Sequence, residues 1–434
     1  MNNKKIVTGL LCLIAILPVW SQQQLLTLDE VFRLADENSK SIRVQALAVE
    51  EAGQNVRVAK NDRLPSLETT LSFSYLGNGW ISDRNFSNGM KASMPHYGNN
   101  FAFKATQVLY AGGAITKSIE MSELQKQVSE WSYQNNRQDV RLLLVGHYLD
   151  LYQLNNQRRV YEKNMEQTRL LVHDIQAAYK EGTALKSDIT RYELQLKNLE
   201  LGLISTTNQI KILSRELITI LGIDAAMEIV PDTTLVRMTV EKQDEMFWQH
   251  EKSQAPALHM SQLGIRMSQK AEDLIRAERR PQIALVAADN LDGPIVIEVP
   301  PINKNFNYWY VGVGISYKFD ALFKSNKKLK QAKIATQKAE VQHQLVNDQL
   351  ADGVHAAYIQ LDEAYTRLDT QEKSVQLAHE NFSVVRNRYL NGLSLVTDML
   401  DASNIQLSSE LQLANAQIGI LYQYFLLKKT TGSL

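Results

Sequence analysis

The sequence predicts a mainly helical fold with a small β part, duplicated so that each half carries a helix, two strands and a long helical hairpin. Three observations predict it. Residues 101–222 recur at 311–432 in one register, so that Tyr179, Gly182, Leu185 and Asp188 match Tyr389, Gly392, Leu395 and Asp398, 210 positions on (389 − 179). Two stretches, 116–180 and 326–390, lack proline and place apolar residues at helical spacing for far longer than an ordinary globular helix. Short segments with strict two-residue alternation lie ahead of each of them.

The chain opens with Lys4 and Lys5, an uncharged apolar stretch from Ile6 to Val19, then Trp20 and Ser21. This is the order of a secretory signal peptide, with an apolar core too short to span a bilayer, so residues 1–21 are expected to be removed. Cys12, the only cysteine, lies inside that core, and the mature chain is expected to hold neither a disulfide nor a thiolate. Two structural repeats, 22–222 and 242–434, flank an irregular connection at 223–241. Lys and Arg together number 47, as do Asp and Glu, so nothing points to nucleic acid.

Each half begins with an amphipathic helical segment, Leu28 to Arg63 and Asp244 to Arg279. Both end at an arginine shortly before a proline (Pro65, Pro281), where helices commonly stop. Strands follow. Leu67, Thr69, Leu71, Phe73 and Tyr75 alternate with Glu68, Thr70, Ser72 and Ser74. Trp309, Val311, Val313, Ile315, Tyr317 and Phe319 alternate with Tyr308, Tyr310, Gly312, Gly314, Ser316 and Lys318. Phe101, Phe103 and Ala105, with Ile283, Leu285 and Ala287, are weaker versions, giving four strands per chain. The long loops 77–100 and 290–307 join strand to strand. The tight turns fall among the helices, as expected of a strand pair whose far end faces the cell exterior. Tyr75, Trp309, Tyr310, Tyr317 and Phe319 are the candidate aromatic girdle at the membrane interface.

The long stretches would each span roughly 100 Å as single helices, a length that argues for coiled-coil packing. Gly182 and Gly392 interrupt them, and returning helices run on to Gly222 and Gly432, making two antiparallel hairpins. Four strands cannot close a barrel, and an open sheet edge in hydrocarbon costs several kcal/mol for each unsatisfied amide. Several chains must therefore pool their strands if the sheet is in lipid. Two would give a narrow, filled barrel and three would leave a lumen.

No chemistry of catalysis is indicated. Gly112 and Gly113 precede Thr116, Lys117 and Ser118 without the spacing of a phosphate loop, and the histidines, eight in all, form no metal-binding pattern. No nucleophile motif, cofactor site or metal site is expected.

The duplicated order, the segment Gln107-Val-Leu-Tyr110-Ala-Gly112-Gly113 and the segment Gly392-Leu-Ser-Leu395-Val-Thr-Asp398-Met-Leu-Asp401-Ala402 resemble the TolC-like outer membrane efflux proteins over essentially the whole mature chain. The resemblance implies a homotrimer in which a twelve-stranded transmembrane barrel, set in outer membrane lipid, continues into an α-helical tunnel through the periplasm. It also implies a passive exit duct that meets a periplasmic adaptor and an inner-membrane pump of the RND or ABC type. Asp398 and Asp401 then become a ring of carboxylates at the periplasmic entrance, able to attract cations. On the residues alone they are acids in the first turn of a helix, favoured by its dipole. Tyr179, Gly182, Leu185, Asp188, Tyr389, Gly392 and Leu395 become the hairpin tips that touch the adaptor. Some relatives carry a basic residue two positions after the second glycine, where this chain has Ser394. The competing classes are a periplasmic adaptor, which usually has one hairpin flanked by β-domains, and a soluble structural coiled coil.

Overall fold

The structure, a computed structural model, describes residues 23–224, 228–232, 243–298 and 301–434. Among them the first half runs β1 (Gln23–Leu26), α1 (Leu28–Asn38), α2 (Lys40–Asn61), β2 (Ser66–Tyr75), β3 (Gly79–Ile81), β4 (Met90–Ala92), β5 (Tyr97–Ala111), α3 (Ala114–Lys180) and α4 (Lys186–Leu221). The second runs β6 (Glu228–Pro231), α5 (Glu245–Glu251), α6 (Pro256–Ala277), β7 (Gln282–Gly293), β8 (Phe306–Ser316), α7 (Ala321–Leu390) and α8 (Val396–Thr431). The fold is mainly α with a small β part, as the periodicity predicts. Among the described residues no helix is long and apolar enough to cross a membrane.

Several expectations are corrected in detail. The segment Leu28–Arg63 is two helices, because Ser39 leaves the helical region (φ −63°, ψ 123°) between α1 and α2. Asp244–Arg279 breaks at Ala255, also extended, ahead of Pro256 at the start of α6. The connection taken as irregular at 223–241 contains β6, which pairs in parallel with β1. The alternation of β8 ends at Ser316. Lys318 O there accepts from Ala321 N at 3.0 Å, so Tyr317 and Phe319 lie in the turn into α7, with their rings edge to face at 4.8 Å.

The chain divides into two compact units. The described residues of the first fall within Met1–Arg43, Arg137–His250 and Gly353–Leu434. Its core is helical: Val354, Ala357 and Leu361 of α7 pack with Ile420 and Leu427 of α8 and with Trp248 of α5. Tyr148 of α3 is fully buried and ties down the parallel pair, since its hydroxyl donates to Leu26 O at 2.8 Å and accepts from Asp232 N at 2.7 Å.

The second unit comprises Val44–Asn136 and Glu251–Asp352 and holds an antiparallel sheet in the order β2-β5-β7-β8. Directly opposed residues of an antiparallel pair share a face. The register therefore puts Leu67, Leu71, Phe73, Phe101, Phe103, Ala105, Ile283, Leu285, Ala287, Trp309, Val311, Val313 and Ile315 on one side. Glu68, Thr70, Ser72, Lys104, Asn290, Tyr310, Gly312 and Gly314 lie on the other. The first face is mostly apolar, broken by Thr69, Asn99, Gln107 and Asp289, and the second is mostly polar or small. Both outer strands, β2 and β8, are exposed at every position. The small hairpin β3–β4 sits in the loop after β2.

Candidate functional site

Both helical hairpins turn by one device. Gly182 (φ 77°) and Gly392 (φ 72°) adopt the left-handed conformation that side chains disfavour, and nothing crowds either α-carbon, so glycine is required by the backbone. Thr183 N donates to Ala178 O at 2.9 Å and Leu393 N to Arg388 O at 2.8 Å, which satisfies the carbonyls at the helix ends. Each returning helix opens on an acid that folds back on its own first turn. Asp188 Oδ2 accepts from Leu185 N at 3.1 Å, and Asp398 Oδ2 accepts from Leu395 N at 3.0 Å. Ser394 Oγ also donates to Asp398 Oδ2, at 3.2 Å, so Ser394 serves the turn itself.

One apolar cluster draws the two tips together. Leu171 and Ile175 of α3, Tyr192 of α4, and Val396 and Met399 of α8 are buried in it, and Tyr389 and Phe382 of α7 pack against them. Tyr389 is half-buried, and burial followed by the charge of Asp188 pushes its phenol up. Tyr192, fully buried, is raised further by burial, then by Tyr389 and Asp188. Both are neutral packing residues at physiological pH. Tyr179, Leu185, Leu393 and Leu395 instead remain exposed around the glycines. Asp398 and Asp401 are exposed on one face of α8, and Asp401 has no partner among the described residues.

Sequence reasoning missed the connection that ties the two hairpins together behind the tips. Glu410 of α8 is buried (9% exposed), yet it accepts from Lys163 Nζ (3.0 Å), Asn164 Nδ2 (3.1 Å) and Gln406 Nε2 (3.2 Å), with His379 Nε2 at 3.0 Å. Burial alone would raise its carboxyl, but the bonds from Lys163, Gln406 and Asn164 outweigh that and hold it below the usual range. Gln195 Nε2 to Asn404 Oδ1 and Gln157 Nε2 to Asn415 Oδ1, both 2.8 Å, repeat the connection at other levels. The one available sign was that Glu410 is the only charged residue between Asp401 and Lys428 of α8.

The aromatic candidates belong to the second unit and the tips to the first. Tyr75 ends β2 and meets Tyr97 across the strand pair, while Trp309 and Tyr310 are adjacent in β8 and so face opposite sides of the sheet. No group of three or more His, Cys, Asp or Glu side chains among the described residues is placed to hold a metal ion.

The family model described as outer membrane efflux protein matches residues 31–223 and 248–433. The chain belongs to that family. No curated protein sequence matches it. Among solved structures, the outer membrane protein VceC from Vibrio cholerae aligns over 93% of this chain and 96% of its own, at 15% identity and a TM-score of 0.76. The CmeC outer membrane channel of Campylobacter jejuni aligns over 94% and 85%, at 15% identity and a TM-score of 0.73. CusC aligns over 94% and 92%, at 13% identity and a TM-score of 0.76. At such identities the likeness establishes the fold. Membership of the outer membrane efflux proteins makes the chain a conduit of the outer membrane rather than an enzyme. It serves as an exit duct for efflux across the outer membrane.

Proposed function

We propose that three copies of this outer membrane efflux protein close one twelve-stranded barrel, four strands from each, above a helical tunnel whose periplasmic entrance is ringed by Asp398 and Asp401. The observation that carries it is the sheet with both edges uncovered and one face mostly apolar. In lipid such edges leave amides unsatisfied, and a closed ring of copies removes them. The even strand number keeps every neighbour antiparallel through each junction, because β2 and β8 run in opposite directions. Three copies leave a lumen where two would fill it.

In this reading the chain is two repeats, 22–222 and 242–434, joined by 223–241 after a signal peptide at 1–21. The apolar face meets lipid, with Tyr75, Trp309, Tyr317 and Phe319 at the interface. Tyr310 belongs to the girdle only by position, since it points to the polar side of the sheet. The tips, from Tyr179 and Tyr389 through Gly182, Leu185, Asp188, Gly392 and Leu395, offer the exposed leucines to a periplasmic adaptor, and the pump behind it is of the RND or ABC type. Six carboxylates then face one axis and attract cations.

The test is conductance in planar bilayers. The double variant Asp398→Ala/Asp401→Ala is expected to conduct more than the parent and to be blocked less by multivalent cations. Unchanged conductance and block would move the constriction elsewhere.

A further inference from the structure

Gly112 and Gly113, whose spacing rules out a phosphate loop, have another task in the second unit. Gly112 is left-handed (φ 66°), and a side chain there would meet Ala277 O at 2.5 Å and Arg280 Cβ at 2.9 Å. The close approach lets Arg280 Nη1 donate to Gly112 O at 3.1 Å, which holds the guanidinium beside the start of β7.

Arg280 lines a cavity of about 350 Å³ where β7 begins and β8 passes into α7. Lys318, Lys324 and Lys328 line it too, and its acids are Glu278 and Asp320. Both acids are already taken, Asp320 by Lys324 at 2.9 Å and Glu278 by Lys328 at 3.2 Å. Arg280 and Lys318 have no carboxylate partner among the described residues, so four cations against two acids leave an excess of two positive charges. Gln282 and Ser316, also in the wall, are directly opposed and share the face of Gly312, Gly314 and Tyr310. The cavity therefore lies on the polar side of the sheet, the side turned away from lipid in the trimer reading.

The duplication supplies a control. A shift of 210 sets Lys318, Lys324 and Lys328 against Val108, Ala114 and Ser118. A shift of 216, which carries α2 onto α6 (256 − 40) and the start of β2 onto that of β7 (282 − 66), sets Arg280 against Leu64. The first repeat makes the same passages between strand and helix with none of these cations, so the fold does not require them. Gathered from the segment after α6, the turn after β8 and the first turns of α7, they repel one another unless an anion from outside the chain joins them.

Resting on the trimer reading above, we propose that this cavity is a lumenal site for dissolved oxyanions, the phosphate or carboxylate groups of molecules on their way out, repeated once in each copy around the axis. Arg280 supplies a planar fork and Lys318 a mobile point charge, the two kinds of donor such groups accept. Rings of basic side chains are how pores favour anions. A lipid headgroup is the poorer occupant, because acyl chains would follow Val313 and Ile315 on the opposite face.

Planar bilayers holding the full-length protein test this, with inorganic pyrophosphate as the probe. Pyrophosphate added on the barrel side is expected to block the parent, and Lys318→Gln to raise the concentration for half block about tenfold while leaving block by multivalent cations unchanged. Lys318 is exposed and without an ion-pair partner, so the variant is expected to keep the parent's native mass. Arg280→Gln is expected to weaken the pyrophosphate block in the same direction. A conducting trimer in which pyrophosphate acts alike on parent and Lys318→Gln, or in which both kinds of block fall together, overturns the site and leaves the trimer standing. A phospholipid retained by the parent in native mass measurement and shed by Lys318→Gln would set the cavity against lipid and overturn it as well. A monomeric mass overturns the trimer reading and the site with it.

Discussion

The helical hairpins and the four-stranded sheet of this chain solve the burial problem in opposite ways. In the first unit Leu361, Leu217, Leu144 and Tyr148 are no more than 1% exposed, and polar ties such as Glu410 are satisfied by side chains of the same chain. In the sheet Phe73 and Trp309 are 74% exposed, and two strands show every residue to the outside. In the proposed trimer the contrast separates what one copy stabilises by itself from what it completes with others. Substitutions in the hairpins should therefore act on the chain, and substitutions along β2 and β8 on the assembly.

The largest effect tests that division most severely. Leu361→Ala empties a packed site between α7 and α8 and is expected to cost about 2–5 kcal/mol, read as a lowered melting temperature of the purified protein. Val313→Asp on the apolar face of β8 is expected to leave helical circular dichroism intact while lowering the trimer recovered from membranes. If both variants behaved alike, the division between self-sufficient and shared regions would be lost.

Next in size is Glu410→Ala, which removes the acceptor of Lys163 and Asn164 and is expected to cost about 1–3 kcal/mol. The same contact sets a pH dependence. Because its carboxyl titrates below the ordinary glutamate value, the stability it contributes is complete above that value and lost as pH falls through the depressed one. Thermal melts across the acid range should show a steeper loss in the parent than in Glu410→Gln, and identical slopes would count against the tie. Tyr148→Phe, which leaves Asp232 N without its acceptor, is expected to cost about 1–2 kcal/mol in the same melts. Smallest is Gly392→Ala, about 1 kcal/mol for a side chain in the left-handed region with no clash to add.

Much of this was legible from residues whose signal is local. Alternation in β2 and β8, the glycines that turn the hairpins, and the acids three residues into α4 and α8 each act through neighbours in sequence. What stayed hidden depends on distance. The β1–β6 pair joins short strands more than two hundred residues apart, and Glu410 collects donors from three helices. The break at Ser39 was masked because the amphipathic pattern continues on both sides of it. Asp398 shows both sides of the matter. Its place on the helix could be read from the motif, but its bonds to Leu395 N and Ser394 Oγ could not.

The central claim is that one copy lacks the neighbours its sheet requires in lipid. Native mass measurement of the protein released directly from lipid nanodiscs tests it without mutation. The account predicts a single species of three chains, with no monomer held in the bilayer. A stable lipid-embedded single chain would contradict it.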